Sequence, residues 1–307
     1  MSTAKEIRVR VPASSANLGP GFDSLALALG LHLRCTLRAS SGGLKITSSG
    51  ANAAEIPREE TNLIWKTFLR LAGEQAGKDF ELEIVNEIPL GRGLGSSAAA
   101  IVAGLALADA WLGVGAGQSG GKQRLIDIAT GLEGHPDNVA AAALGGLVVS
   151  CQAEDGRVLT AQCTFPREIE VVLVVPELRL STEAARAALP QQYSRRDAVF
   201  NVQRVALFLA TLQGGGGDLL KEAMRDRLHQ PYRAPLIPGF SEALKLENIP
   251  GLLGIALSGA GPSIVVFCQG DTGAAGKAVG DCFRRKGIAA EAMPLPIDTA
   301  GLVVENQ

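Results

Sequence analysis

The sequence predicts an α+β protein of two domains, and three observations carry that expectation. The chain has 307 residues, longer than the roughly 100–200 of one typical domain. Apolar periodicity switches between the two-residue repeat of strands and the 3.6-residue repeat of helices in both halves of the chain. Between the halves, residues 152–157 (Gln-Ala-Glu-Asp-Gly-Arg) are polar and turn-like. The boundary is therefore placed there, dividing the chain into 1–155 and 156–307.

Each element follows from its local pattern. Ile7-Arg8-Val9-Arg10-Val11 alternates apolar and basic residues and stops at Pro12, a short strand feeding a loop over 12–23. The apolar run 25–37 predicts further strands, and 62–71 a helix. Phe80, Leu82, Ile84, Asn86 and Ile88 share one strand face, Glu81, Glu83 and Glu87 take the other, and Pro89 ends the strand. After a glycine-rich loop, Ile101, Leu105, Ala108 and Leu112 fall on one buried helical stripe. A helix is expected over 122–132, and a short helix or turn leading to a strand over 140–150. The second half reads as a strand at 168–175 and helices at 182–188, 197–212 and 218–228. The last two helices are separated by four glycines, 214–217, read as a solvent-facing hinge. Residues 254–267 read as strand, glycine-rich turn and strand. A helix near 276–285 and a closing strand complete the chain.

Composition removes several functional classes. A formal net charge of −2 gives no basic field for nucleic acid, so Arg195, Arg196 and the run Arg284 to Lys286 read as solvated faces. Five Cys without a C-x-x-C pair and only three His write neither a zinc cluster nor a disulfide framework, which fits a reducing cytoplasm. The N-terminal residues run into a strand without the apolar core of a signal peptide. The most apolar stretch, 98–112, falls short of the roughly 20 residues that span a bilayer. A soluble protein that contacts neither membrane nor nucleic acid is expected.

The most informative stretch is Pro89-Leu90-Gly91-Arg92-Gly93-Leu94-Gly95-Ser96-Ser97-Ala98-Ala99, set between a strand and a helix. Alternating glycines let backbone N–H groups converge on an anion, and the helix that follows adds its uncapped donors and positive end. The bland alternative is a tight turn whose serines cap the helix. A Walker loop is excluded, because no Gly-Lys-Ser/Thr occurs. The literal G-x-G-x-x-G at Gly115 to Gly120 follows a helix rather than a strand and reads as coincidence.

The Pro89–Ala99 loop resembles the ATP-binding motif of the GHMP kinase superfamily. Two further superfamily motifs stand in order, Pro12 to Asp23 and Leu257-Ser258-Gly259-Ala260-Gly261-Pro262-Ser263. The resemblance implies a two-domain fold, with an N-terminal ATP-binding domain (1–155) like domain 2 of ribosomal protein S5 and a ferredoxin-like C-terminal domain (156–307). Its active site would lie in the cleft between them. Within the superfamily, the 12–23 block, Glu133-Gly134-His135-Pro136-Asp137-Asn138-Val139-Ala140, Ser181 to Arg186, and His229-Gln230-Pro231-Tyr232-Arg233 resemble the homoserine kinase family over essentially the whole chain. Ala141 departs from that family, many of whose members carry Pro there, and this touches a helix start rather than chemistry.

What the resemblance implies is ATP-dependent phosphorylation of the L-homoserine hydroxyl in threonine biosynthesis, with ATP and Mg²⁺ as cofactors and, as is frequent in the family, a homodimer. Another GHMP kinase of shikimate or mevalonate type is the alternative; a sensor on the same fold would be expected to have lost the intact loop. An amino-acid substrate needs a fixed anion and planar cationic forks. Asp23 can supply the anion for the ammonium. By resemblance, Arg186 and Arg233 hold the carboxylate, with Asn17, His135 and Asn138 as further polar contacts. Ser97 is the expected hydroxyl ligand of Mg²⁺, and the acidic ligand is Asp127, favoured by family spacing, or Glu133. Mevalonate kinase and galactokinase use an Asp as base where this chain has Asn138, which cannot take a proton at neutral pH. Asn138 then orients the hydroxyl, and Asp137 is either a rival base or a helix cap.

Overall fold

The computed structural model describes residues 6–73, 76–77, 79–115 and 120–306. The chain begins with two long strands, β1 (Glu6–Asn17) and β2 (Gly21–Ala39), followed by β3 (Lys45–Gly50), α1 (Leu63–Ala72) and β4 (Phe80–Asn86). Next come α2 (Ser96–Leu112), α3 (Gly121–Glu133), α4 (Asp137–Leu144) and the hairpin β5 (Leu147–Gln152) and β6 (Val158–Cys163). The remainder holds β7 (Glu170–Pro176), α5 (Thr182–Ala187), α6 (Arg195–Gln213), three four-residue helices, β8 (Leu252–Leu257), β9 (Ile264–Cys268), α10 (Thr272–Arg284), β10 (Ala290–Leu295) and β11 (Val303–Asn306). The short helices are α7 (Leu220–Ala223), α8 (Gln230–Arg233) and α9 (Phe240–Ala243).

These strands form two sheets. The first runs β11-β1-β2-β4-β3, with β5 paired to β2 and β6 to β5. The second is antiparallel, in the order β10-β7-β9-β8, the fourth-first-third-second arrangement of a ferredoxin-like plait. The period-2 pattern of its central strands divides the core. Val171, Leu173, Val265 and Phe267 pack with α6 and the first lobe, whereas Val172, Val174, Ile264 and Val266 pack with Phe240, Val279 and Phe283.

Helix α2 is buried along nearly its whole length from Ala98 to Ala110. It is rich in Ala, so other elements approach it on all sides. A Cβ at Gly104 would overlap the Ile64 carbonyl of α1, so the two helices pack in close contact there. Helix α1 starts where Asn62 caps it, accepting from the Ile64 and Trp65 N–H groups.

Several expectations needed revision. β1 does not stop at Pro12; it continues to Asn17 with register shifts after Pro12 and Ala16, so half of the expected loop is a buried strand. The expected helix at 218–228 reduces to Leu220–Ala223. The Asp226 carboxylate accepts from the Leu228, His229 and Gln230 N–H groups, and this local turn replaces the helical ladder. β6 was not foreseen, and a boundary at 155/156 falls in the turn between β5 and β6, both strands of the first sheet. β11 returns to pair with β1. Residues 116–119 of the G-x-G-x-x-G match lie outside the described residues. Among the described residues, no helix is long and apolar enough to cross a membrane.

Candidate active site

The loop between β4 and α2 carries Gly91, Gly93 and Gly95, all with positive φ (66°, 74° and 66°). Only two of them are closely packed. A Cβ on Gly93 would overlap the Ser258 carbonyl oxygen and lie 2.9 Å from Gly261 N. On Gly95 it would overlap Ser14 Oγ and come within 2.8 Å of Asn138 Oδ1. On Gly91 it would meet nothing within 4 Å. The N-cap of α2 is Gly95, with no side-chain cap bond, so the serines do not consume the first-turn donors by capping. A helix start with free N–H groups is an anion site.

Two separate segments, β1 and the turn over 258–263, hold the carbonyls of this loop. Ser14 N–H donates to Leu94 O (3.1 Å), and Ser263 N–H to Arg92 O (3.3 Å). The Ser258 hydroxyl donates to Gly93 O (2.7 Å). The Arg92 side chain turns away from the loop and donates to the Pro176 and Leu178 carbonyls at the end of β7. Its guanidinium therefore ties the two sheets together instead of facing the cleft. Ala98 and Ala99 are fully buried core residues, and their contribution to the loop is backbone.

The cleft is lined by Asn17, Asp23, Gly91, Gly93 to Ser97, Glu133, His135, Asp137, Asn138, Arg186 and Arg233, among others. Ser97 Oγ donates to Glu133 Oε2 at 2.8 Å. Asp127 is not brought to this pair. Its carboxylate accepts from Val158 N–H (2.9 Å) and Gln123 Nε2 (3.2 Å), on the side of α3 that faces β6. The spacing that favoured Asp127 is corrected by geometry: the carboxylate beside Ser97 is Glu133.

Asp137 is the first residue of α4, and one of its carboxylate oxygens, Oδ1, takes both of its contacts. It accepts from Asn138 N–H (2.7 Å) and contacts His135 Nδ1 at 2.6 Å. It is not the N-cap, which is Pro136. Burial works to lower the His135 pKa, but the hydrogen bond and charge of Asp137 outweigh it and leave it raised. Asn138 stands next to it, its Oδ1 accepting from Ser14 Oγ at 2.8 Å.

At the other end, Asp23 and Arg186 form a two-pronged ion pair, with N–O distances of 3.1 and 2.7 Å. The guanidinium carbons of Arg186 and Arg233 lie 5.6 and 5.4 Å from the centroid of the Phe22 ring. Arg233 is 2% exposed; burial, together with the charge of Arg186, pushes its pKa down to about 10. It donates to the Gly259 and Ala185 carbonyls and faces His229 Nδ1. Asn17 closes the group from below. Its side chain accepts from Asp23 N–H and donates to Gly259 O, so it shapes the 17–23 turn as well as lining the cleft. Asp23, His135 and Asp137 bring ligand atoms within 4.8 Å of one another, but Arg186 and the His135–Asp137 bond already satisfy this group.

Sequence reasoning assigned no role to Ser14, Phe22, His229 or Ser258, although all lie inside the motifs it quoted. It also missed a second cavity of about 260 Å³ that shares Ser96 and Ser97 with the cleft and is walled by Leu33, Ile56, Pro57, Leu63, Ile84 and Leu90. No contiguous motif marks it, because its walls come from four separate elements.

Comparison with known proteins adds to this geometry. The family model for the N-terminal domain of GHMP kinases matches residues 62–146, and that for the C-terminal domain of GHMP kinases matches 208–289. The homoserine kinase of Solibacter usitatus (strain Ellin6076) is 48% identical over 295 residues, covering 95% of both chains. That of Moorella thermoacetica (strain ATCC 39073 / JCM 9320) is 42% identical, covering 96% of this chain and 99% of its own. The crystal structure of homoserine kinase from Cytophaga hutchinsonii superposes with a TM-score of 0.83 at 29% identity, covering 99% of each chain. Streptococcus pneumoniae phosphomevalonate kinase shares the fold, with a TM-score of 0.63 at 18% identity, covering 95% of this chain and 99% of its own.

Proposed function

From a chain that belongs to the homoserine kinase family of the GHMP kinases, we infer that its reaction is the transfer of the ATP γ-phosphoryl group to the side-chain hydroxyl of L-homoserine. The product, O-phospho-L-homoserine, places the enzyme in threonine biosynthesis. The observation that carries this reading is the charge arrangement beside the phosphate loop, where two guanidiniums lie near the ring of Phe22 and one of them pairs with the Asp23 carboxylate. Arg186 and Arg233 are the complement of an α-carboxylate, and Asp23 that of an α-ammonium. An entering zwitterion exchanges the internal Asp23–Arg186 pair for one partner at each of its own charges. A neutral polyol offers no such exchange.

At the other end, the Gly91–Gly95 loop and the first turn of α2 receive the phosphates, and the apolar cavity beside Ser96 and Ser97 is the adjacent place for the nucleoside. Ser97 and Glu133 are an all-oxygen pair of the kind a hard divalent cation takes. They would hold Mg²⁺, which supplies charge neutralisation on the phosphates. The acceptor oxygen forms its bond to Pγ as the bond to the β–γ bridging oxygen breaks, and ADP leaves with that electron pair. Such transfers pass through a loose transition state in most analyses, so positioning outweighs a strong base. No carboxylate with free lone pairs is needed. Asn138 orients the hydroxyl, Oδ1 of Asp137 is committed to His135 and Asn138 N–H, and the released proton goes to phosphate or water.

The test is incubation with ATP, Mg²⁺ and L-homoserine, with detection of O-phosphohomoserine and parallel arms holding shikimate or mevalonate. Turnover of homoserine alone is expected. Equal or faster turnover of either carboxylate without an ammonium would remove Asp23 from the reading.

A further inference from the structure

Ser14 lies in β1, in a stretch expected to be a loop, and is fully buried. Its hydroxyl is 2.8 Å from Asn138 Oδ1 and 3.4 Å from Asn138 O, and its backbone N–H reaches Leu94 O at 3.1 Å. Ser14 Oγ and Asn138 Oδ1 are also the atoms that a Cβ on Gly95 would strike. The first motif, the phosphate loop and the start of α4 thus meet at one hydroxyl.

We propose that Ser14 is a positioning residue for phosphoryl transfer, holding the Asn138 carboxamide so that its NH₂ end, and not its oxygen, faces the acceptor hydroxyl. The proposal rests on the reading that Asn138 orients that hydroxyl. The chemistry follows from the donor count. A serine hydroxyl has one hydrogen, and the 2.8 Å partner that accepts it is the amide oxygen. The amide oxygen is then occupied, and Nδ2 is the group left to serve the cleft. An Nδ2–H bonded to one lone pair of the substrate hydroxyl leaves the second lone pair free to attack phosphorus. The hydroxyl hydrogen is thereby directed away from Asn138, toward the phosphoryl oxygens that receive it. Donation to the nucleophile costs little when bond formation to it is small in the transition state, whereas a swinging amide would lose alignment.

The experiment is a double-mutant cycle read in kcat and in KM for both substrates, using Ser14→Ala, Asn138→Ala and the double variant, with thermal unfolding to follow the fold. Ser14→Ala should lower kcat about 10-fold or more while both KM values stay within about threefold, the pattern of an interaction that matters in the transition state. The double variant should be no slower than Asn138→Ala alone, because Ser14 acts through the amide. Ser14→Cys keeps a weaker donor; it should fall between wild type and Ala, and it carries the same cycle if the Ala variant does not fold. Losses that multiply in the double variant overturn the proposal, as does wild-type kcat in Ser14→Ala beside a damaged Asn138→Ala. Wild-type turnover in Asn138→Ala instead removes the role of Asn138 on which the proposal stands.

Discussion

The two ends of the cleft are built by different means. The phosphate end is backbone: three left-handed glycines, an uncapped helix start and carbonyls fastened to Ser14, Ser258 and Ser263. The end proposed for homoserine is side chains: Asp23, Arg186 and Arg233, drawn from three distant segments, with Arg186 paired to Asp23 and Arg233 bonded to the Gly259 and Ala185 carbonyls. A backbone site tolerates almost no added atom where it is pinned, because nothing nearby can rotate out of the way. A side-chain site tolerates atoms better than lost charges, since a buried charge without its counterpart is costly. Substitutions should therefore fail in opposite ways at the two ends.

The largest expected effect is at Gly93. Any Cβ there overlaps the Ser258 carbonyl, so Gly93→Ala or Gly93→Val displaces the loop from the second sheet and not merely from the phosphates. A shift of about 1 Å in a positioning element can cost about 100-fold, and nucleotide affinity should fall by that factor or more. Gly91→Ala is the control. It meets open space, bears only the left-handed strain of about 1–2 kcal/mol, and should keep most nucleotide affinity by equilibrium titration. Equal damage at both glycines would mean that backbone freedom, and not the Ser258 contact, governs the loop.

At the opposite end the prediction inverts. Arg233→Ala leaves a substrate carboxylate unmatched in a dehydrated pocket, a loss of about 2–5 kcal/mol, seen as homoserine KM rising while ATP KM holds. Arg186→Ala should cost less, because its side chain is 37% exposed and solvent screens it. Lysine at Arg233 should recover only part, since an ammonium lacks the planar fork. If both Ala variants keep wild-type homoserine KM, the charge arrangement loses its meaning.

The same contrast governs what was legible in the sequence. The phosphate loop could be read because its residues are contiguous, and alternating glycines between a strand and a helix serve a close backbone approach more readily than a stable turn of either element. Asp23, Arg186 and Arg233 were found through flanking motifs, but their mutual pairing was not, since it depends on contacts across 163 positions of chain in the case of Asp23 and Arg186. The strand β6 escaped for a related reason, and the one closing strand expected after the last helix is two, β10 and β11. β6 buries only Val158, and β11 is four residues long and pairs with the start of the chain, so neither carries a local apolar alternation. The helix expected at 218–228 failed because Asp226 offers its carboxylate to three backbone donors, a competition that periodicity does not weigh. Asp127 was selected by spacing along α3, whereas the direction of its side chain is set by Val158 on a strand that had not been anticipated.

The acidic residue beside Ser97 sets spacing against geometry in a smaller effect. Glu133→Gln should raise the Mg²⁺ concentration needed for half-maximal turnover, because the carboxylate that meets Ser97 is gone. Asp127→Asn should leave that requirement unchanged and lower stability by about 1 kcal/mol through a weakened bond to Val158 N–H. A shifted Mg²⁺ requirement in the Asp127 variant alone would restore the family spacing over the geometry.

The smallest effect concerns His135, where the two construction styles meet, and it is read in pH rather than in turnover. Its folded pKa lies above the ordinary value of 6.5, with burial opposing and Asp137 prevailing. A group whose pKa rises on folding binds its proton more tightly in the native state, so its contribution to stability is complete below the unfolded pKa. That contribution declines as pH rises through the folded value. Unfolding midpoints measured across that window should therefore fall with pH by an increment that Asp137→Asn removes, because the neutral amide no longer favours the imidazolium. The variant should also be less stable than wild type at the acid end of the window and closer to it at the alkaline end. A difference between the two proteins that stays constant with pH would mean that Asp137 supports α4 through Asn138 N–H alone and leaves the protonation of His135 untouched.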